Sequence, residues 1–189
     1  SGLVFLGGLM GGMLGVTIVL RKNELPWLTF ADIVSPLLIL GYAIGRIGCF
    51  LVGDDYGMPT SLPWGISFIN GLPPTTTQAF SAHYPWIDIS GLEPGIIPVH
   101  PTQIYESLAG IAIFTVLWNR RKYVKTTGNL FLFYLILAGV ERFMIEFIRT
   151  NNMYLFDIFS GSQIISVLMV SIGLYFLVYP VSKNEISPE

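Results

Sequence analysis

Three arginines stand apart from the other cations of this 189-residue sequence. Arg46, Arg142 and Arg149 sit inside or at the end of long apolar stretches. An ionised side chain is costly there and usually faces a bundle interior, a cavity or a partner. Arg46 lies in Gly45-Arg46-Ile47-Gly48, whose small residues permit close approach of another helix or a ligand. Arg142 and Glu146 are four apart, so on a helix they share a face and can pair; Arg149, at i+7, extends the stripe. An ion pair that lets a polar helix end enter a membrane, with Arg149 snorkelling to headgroups, fits the same spacing. Two arginines on separate helices at one depth point instead to an anion. Guanidinium forks match phosphate and carboxylate geometry, and the anion native to a membrane is a lipid phosphate.

A second group opens a later stretch: His100-Pro101-Thr102-Gln103-Ile104-Tyr105-Glu106. Pro101 suits a first helical turn, where its missing N–H costs nothing. His100 and Gln103 can share a face, and Glu106 is a carboxylate one turn deeper. Histidine accepts a proton near neutral pH, although an interfacial His and a hydrogen-bonded Glu also serve structure alone. Asp54-Asp55 follow Arg46 by about two helical turns, so a carboxylate can approach the guanidinium from the loop; a solvated loop acid is the plainer account. Cys49, one turn from Arg46, reads as a small core residue. One Cys and two His make a Cys/His zinc site improbable, so no metal is expected, and no soluble cofactor is implied. P-loop, HExxH and Ser/His/Asp patterns are absent, so hydrolysis by those routes has no support.

The elements that must hold these residues follow from composition. Hydrophobic residues make up 52% and charged residues 12% of the chain, with mean hydropathy +0.64. A soluble domain carries about a quarter charged residues, so a bilayer is the expected solvent. Five stretches, 3–20, 33–52, 102–118, 130–148 and 162–180, approach the ~20 apolar residues that a crossing needs. They lack strand-like alternation, so helices rather than a barrel are expected. The sequence thus predicts an all-α polytopic membrane protein, a single membrane domain over 1–189 with about five transmembrane helices. Seven of the ten cations (Arg21, Lys22, Arg120, Arg121, Lys122, Lys125, Lys183) fall on one side of five crossings. The positive-inside rule makes that side, including a tail at 181–189, cytoplasmic and places the N-terminus outside. A net charge of −2 without a basic block leaves no footprint for nucleic acid.

The segment 53–101 is then an extracytoplasmic cap. It holds no Lys or Arg and is rich in proline and in interfacial aromatics such as Tyr56, Trp64, Tyr84 and Trp86. Residues 63–68 suggest a short strand, and Asn70-Gly71 a turn. Gly7, Gly8, Gly11, Gly12 and Gly15 form a small-residue stripe suited to close helix packing.

Three blocks carry a family resemblance. Gly45-Arg46-Ile47-Gly48-Cys49-Phe50, followed by Gly53-Asp54, Gly57 and Pro63-Trp64, resembles the signature of prolipoprotein diacylglyceryl transferases. The His100–Glu106 block and Arg142-Phe143-Met144-Ile145-Glu146-Phe147-x-Arg149 resemble two later ones, in matching order and sidedness over nearly the whole chain. The resemblance implies transfer of a diacylglyceryl group from phosphatidylglycerol to the lipobox cysteine thiol of a preprolipoprotein, in a bacterial cytoplasmic membrane. A thioether forms and glycerol 1-phosphate leaves. It implies that Arg46 binds the headgroup and that Arg142, paired with Glu146, stabilises the developing phosphate charge. Asp54 and Gly57 match acidic and glycine positions of the motif, and His100, Gln103, Tyr105 and Glu106 a block that shapes the cavity.

Three departures accompany it. Leu6-Gly7-Gly8 stands where the family reads His-Gly-Gly, and Cys49 where it usually has Asn. The sequence opens just before Leu6, whereas family members carry about two further helices upstream, so five helices of a seven-helix fold are expected. With Leu6 in place of the histidine, thiol activation falls to His100, a carboxylate or the cationic field itself. A catalytically impaired lipid-binding or scaffold protein of the same fold is the alternative; an arginine-lined anion transporter lacks the expected inverted repeats.

Overall fold

The computed structural model describes residues 2–150 and 160–179; the expected tail at 181–189 and the side chain of Leu6 lie outside the described residues. The helices are α1 (Gly2–Lys22), α2 (Trp27–Val52), α3 (Thr77–His83), α4 (Thr102–Arg120), α5 (Asn129–Ile145) and α6 (Gly161–Val178), with a 3-10 turn at Glu146–Ile148. All five long helices coincide with the expected apolar stretches. α2 starts earlier than its apolar run, directly after Pro26, whose extended backbone (φ −69°, ψ 119°) precedes the first turn. By length and apolarity α2 and α6 qualify as membrane spans. α5 has 17 residues and carries Glu141 and Arg142, and α4 carries Gln103 and Glu106 near its start.

Helix ends are set by local chemistry. Gly53 closes α2 in the left-handed region (φ 72°), its N–H reaching the carbonyls of Cys49 and Phe50. The Ser160 hydroxyl accepts from Gln163 N–H while Gln163 Oε1 accepts from Ser160 N–H, a capping box that starts α6. α5 is capped from another helix: Asp32, on α2, accepts from the amides of Gly128 (2.6 Å) and Phe131 (2.8 Å). A carboxylate at that position satisfies orphan donors and complements the helix dipole.

Packing uses glycine where backbones approach. A Cβ on Gly110 would lie 3.0 Å from Ala43 of α2, and one on Gly139 2.8 Å from Val170 of α6. Among the described residues nothing lies within 4 Å of a Cβ built at Gly7, Gly8, Gly11, Gly12 or Gly15 of α1. The surface is inverted relative to a water-soluble bundle. Leu51, Ile44 and Met144 are exposed, while Gln103, Glu106, Gln163 and Ser166 are buried. Lipid, not water, suits such a surface.

The cap folds around its own core, Tyr56, Phe80, Ile97 and Val99, with Phe68 and Tyr84 packed on it. The strand expected at 63–68 is reduced to an isolated bridge between Ile66 and Val99, since Pro63 and Pro98 lack the N–H that a ladder needs. The expected turn is present, with Gly71 N–H bonded to Phe68 O at 3.2 Å.

Candidate active site

The C-terminal end of α2, the start of α4 and the end of α5 meet beneath the cap, and their charged residues meet there too. Glu106 is the centre, with no exposed surface. Its Oε2 lies 2.6 Å from Arg46 Nε and 3.9 Å from an Arg142 Nη. Its Oε1 accepts from an Arg149 Nη at 3.0 Å, and the Tyr42 hydroxyl donates to Oε2. Arg46 also stacks over the Tyr42 ring, 5.1 Å from its centroid. A buried carboxylate is tolerated only when paired and hydrogen-bonded, and Glu106 is both.

Asp55 closes the arrangement from the cap side. One of its oxygens is 2.8 Å from Arg46 and the other 3.1 Å from Arg149. Two carboxylates thus bridge the same two guanidiniums, Glu106 from within and Asp55, with a side chain 48% exposed, from outside. Burial would raise the Asp55 pKa, but the charges of Arg149 and Arg46 outweigh it and hold the carboxyl below its ordinary range. The Asp55 backbone is itself pinned: Thr102 donates to its carbonyl at 2.9 Å, and Gln103 donates to the Asp54 carbonyl at 2.5 Å.

Arg142 lies beside this ring. It pairs with Glu146 at 2.9 Å, as the four-residue spacing predicts, and donates to the Ser162 hydroxyl of α6 at 3.0 Å. Its buried Nη1, 3.9 Å from Glu106 Oε2, has no hydrogen-bond partner among the described residues. Glu141, the residue before it, likewise has a buried Oε1 without a hydrogen-bond partner. The arrangement offers fixed cations, which suits an anion gaining charge.

Of the residues singled out in the sequence, Arg46, Glu106, Arg142 and Glu146 come together. Gln103 is buried as a strut for the loop. Asp54 does not meet Arg46; its neighbour Asp55 does. Gly57 is at a close approach, where a Cβ would lie 2.6 Å from Ile148 O and 2.7 Å from Thr102. Its backbone bridges that of Arg149 and so fixes the arginine. His100 and Tyr105 pair with each other, Nδ1 to hydroxyl at 3.5 Å, and Trp64 Nε1 donates to the same hydroxyl at 2.8 Å. Arg149, which snorkelling would have explained, is instead 6% exposed and integral to the cluster. Its i+7 spacing from Arg142 is the signal that finds it. Tyr42 and Glu141 carry no comparable sequence mark.

Comparison with known proteins decides the family. A profile described as prolipoprotein diacylglyceryl transferase matches residues 1–179. The chain belongs to the prolipoprotein diacylglyceryl transferase family. Curated relatives named phosphatidylglycerol–prolipoprotein diacylglyceryl transferase include that of Oceanobacillus iheyensis, 33% identical over 95% of this chain and 58% of the relative. The Clostridium tetani protein is 35% identical over 93% of the chain and 63% of its own length. That of Chlorobaculum tepidum is 32% identical over 98% and 58%. This diacylglyceryl transferase family member therefore spans about three fifths of the length of the relatives it matches. Family membership and its exposed apolar helices make it an integral membrane protein.

Proposed function

We propose that the protein transfers the diacylglyceryl group of phosphatidylglycerol to the lipobox cysteine of a preprolipoprotein, at the outer face of a bacterial cytoplasmic membrane. The observation that carries this reading is the paired guanidiniums of Arg46 and Arg149 with Arg142 beside them. In the reaction a C–O bond between glycerol and phosphate breaks and a C–S bond forms. The thiol proton passes to a base, and the phosphodiester leaves as a monoester, glycerol 1-phosphate. Charge grows on the departing phosphate, and fixed cations lower the barrier by stabilising it. The phosphate enters from the half-exposed side of the arginine pair and takes over the bonds Asp55 makes, while Glu106 keeps both arginines in place from within. His100 is the proton acceptor in this reading, oriented by Tyr105.

The same reading sets the orientation. The cap, 53–101, and the N-terminus are extracytoplasmic, and the five long helices cross the bilayer. Arg21 and Lys22 at the end of α1 and the Arg120–Lys125 connection are cytoplasmic. The test is transfer from phosphatidylglycerol to a lipobox peptide in membranes. Arg46→Ala and Arg142→Ala should each abolish the thioether product; normal turnover in either removes the arginine assignment.

A further inference from the structure

At the opposite end of the bundle from the arginine cluster, the end of α4, the connection after it and the start of α5 form an open cavity of about 460 Å³. Arg120 is fourteen residues beyond Glu106 on α4, about 21 Å along the helix axis. Asn119, Arg120, Tyr123, Lys125 and Asn129 line the cavity, and Phe133 contributes an aromatic wall. Arg120 lies over the Phe133 ring, 5.1 Å from its centroid, and Arg121 over Trp118, at 3.2 Å. These rings fix the cationic heads without neutralising them.

Charge separates the two ends of the molecule. Around Glu106 every arginine has a carboxylate partner. Among the described residues, the ion pairs involve none of Arg120, Arg121, Lys122 and Lys125. Asp32, the acid on α2 that meets the start of α5, is committed to the amides of Gly128 and Phe131. Among the described residues the cavity therefore has cations and amide donors and no acid in its lining. Next to it Trp118 and Val116 are exposed on α4, and Tyr123 is exposed at the rim. Aromatic rims with an apolar flank are the setting of a lipid headgroup, with acyl chains running along the helix.

We propose that this cavity binds the phosphate headgroup of an anionic phospholipid, at a site separate from the proposed active site. The leaflet, the cytoplasmic one, rests on the orientation proposed above; the chemistry of the site does not. A soluble phosphate ester would meet the same cations, and the exposed apolar flank favours the lipid.

The test is the affinity of spin-labelled phosphatidylglycerol for the protein in phosphatidylcholine nanodiscs. Lys125 lines the cavity and Lys122 does not, and both are exposed, so either can be neutralised without disturbing packing. Lys125→Gln should weaken binding about fivefold, the worth of one juxtamembrane cation. Lys122→Gln should have less than about half that effect on a logarithmic scale. The site should persist in Arg46→Ala, which separates it from the substrate site whatever the outcome of the transfer assay. Equal losses in the two lysine variants would mean diffuse surface charge and overturn the proposal. So would displacement of the lipid by millimolar glycerol phosphate, which would identify a soluble ligand.

Discussion

Replacing Asp55 with Asn removes the charge but keeps the shape of the carboxylate that bridges Arg46 and Arg149. In the proposed reaction an incoming phosphate has to break the wild-type contacts of 2.8 and 3.1 Å. A hydrogen bond to a charged group contributes about 1.5–3 kcal/mol, and a fully exposed ion pair about 0.2–1 kcal/mol. The half-exposed Asp55 falls between them, at about 1–2 kcal/mol, or about five- to thirtyfold in a binding constant. Asp55→Asn should therefore bind glycerol 1-phosphate about five- to thirtyfold more tightly and be less stable by about 1–2 kcal/mol. Calorimetric titration at low ionic strength and thermal unfolding in the same detergent measure the two effects. The pH dependence follows from the depressed Asp55 pKa. Its stabilising contribution is complete above the ordinary carboxylate value of about 3.9 and is lost only as pH falls through the lower folded value. The ratio of variant to wild-type affinity should accordingly stay flat from about pH 5 to about pH 8. Weaker phosphate binding in Asp55→Asn would refute displacement and make Asp55 a strut for the arginines.

Glu106→Gln leaves Arg46 and Arg149 without their inner partner and should cost about 3–5 kcal/mol of stability, read as a lowered melting temperature. An unchanged melting temperature would remove Glu106 from the centre of the network. Gly57→Ala forces a methyl against Ile148 O and Thr102. It should destabilise by about 1–3 kcal/mol and weaken phosphate binding by displacing Arg149, measured by unfolding and titration together. His100→Gln should lower the transfer rate about 10²–10⁴-fold with little change in glycerol 1-phosphate affinity. If Glu141→Gln has that effect and His100→Gln does not, the base is Glu141.

Spacing within one helix proved readable, and spacing between helices did not. The Arg142–Glu146 pair is local, and the structure holds it at 2.9 Å. Glu106 could be recognised as a carboxylate inside an apolar stretch. That it joins Arg46, sixty residues before it, and Arg149, forty-three after it, depends on how α2, α4 and α5 pack. The choice between Asp54 and Asp55 turned on one backbone conformation. Asp55 has φ +55°, and its loop is pinned by Thr102 and Gln103. No residue pattern announces that reversal. The end of α2 was legible, because Gly53 follows its apolar run, but its start was not: the first turn after Pro26 precedes that run by six residues. The strand at 63–68 was overread because β-propensity ignores the missing donors of the prolines around it.

The carboxylate of Asp32 bears on how the protein is made. It caps a helix whose first amide partner, Gly128, lies 96 residues later in the chain. At about 5–20 residues per second of synthesis, the acid waits about 5–20 s for that partner. Until then an ionised Asp32 near the start of α2 favours the water-facing boundary, because a charge is costly at membrane depth. When α5 emerges, its amides find the acid already positioned. The Asp32 contact therefore ties the start of a late helix to the first turns of an early one, at the end of the bundle away from the arginine cluster.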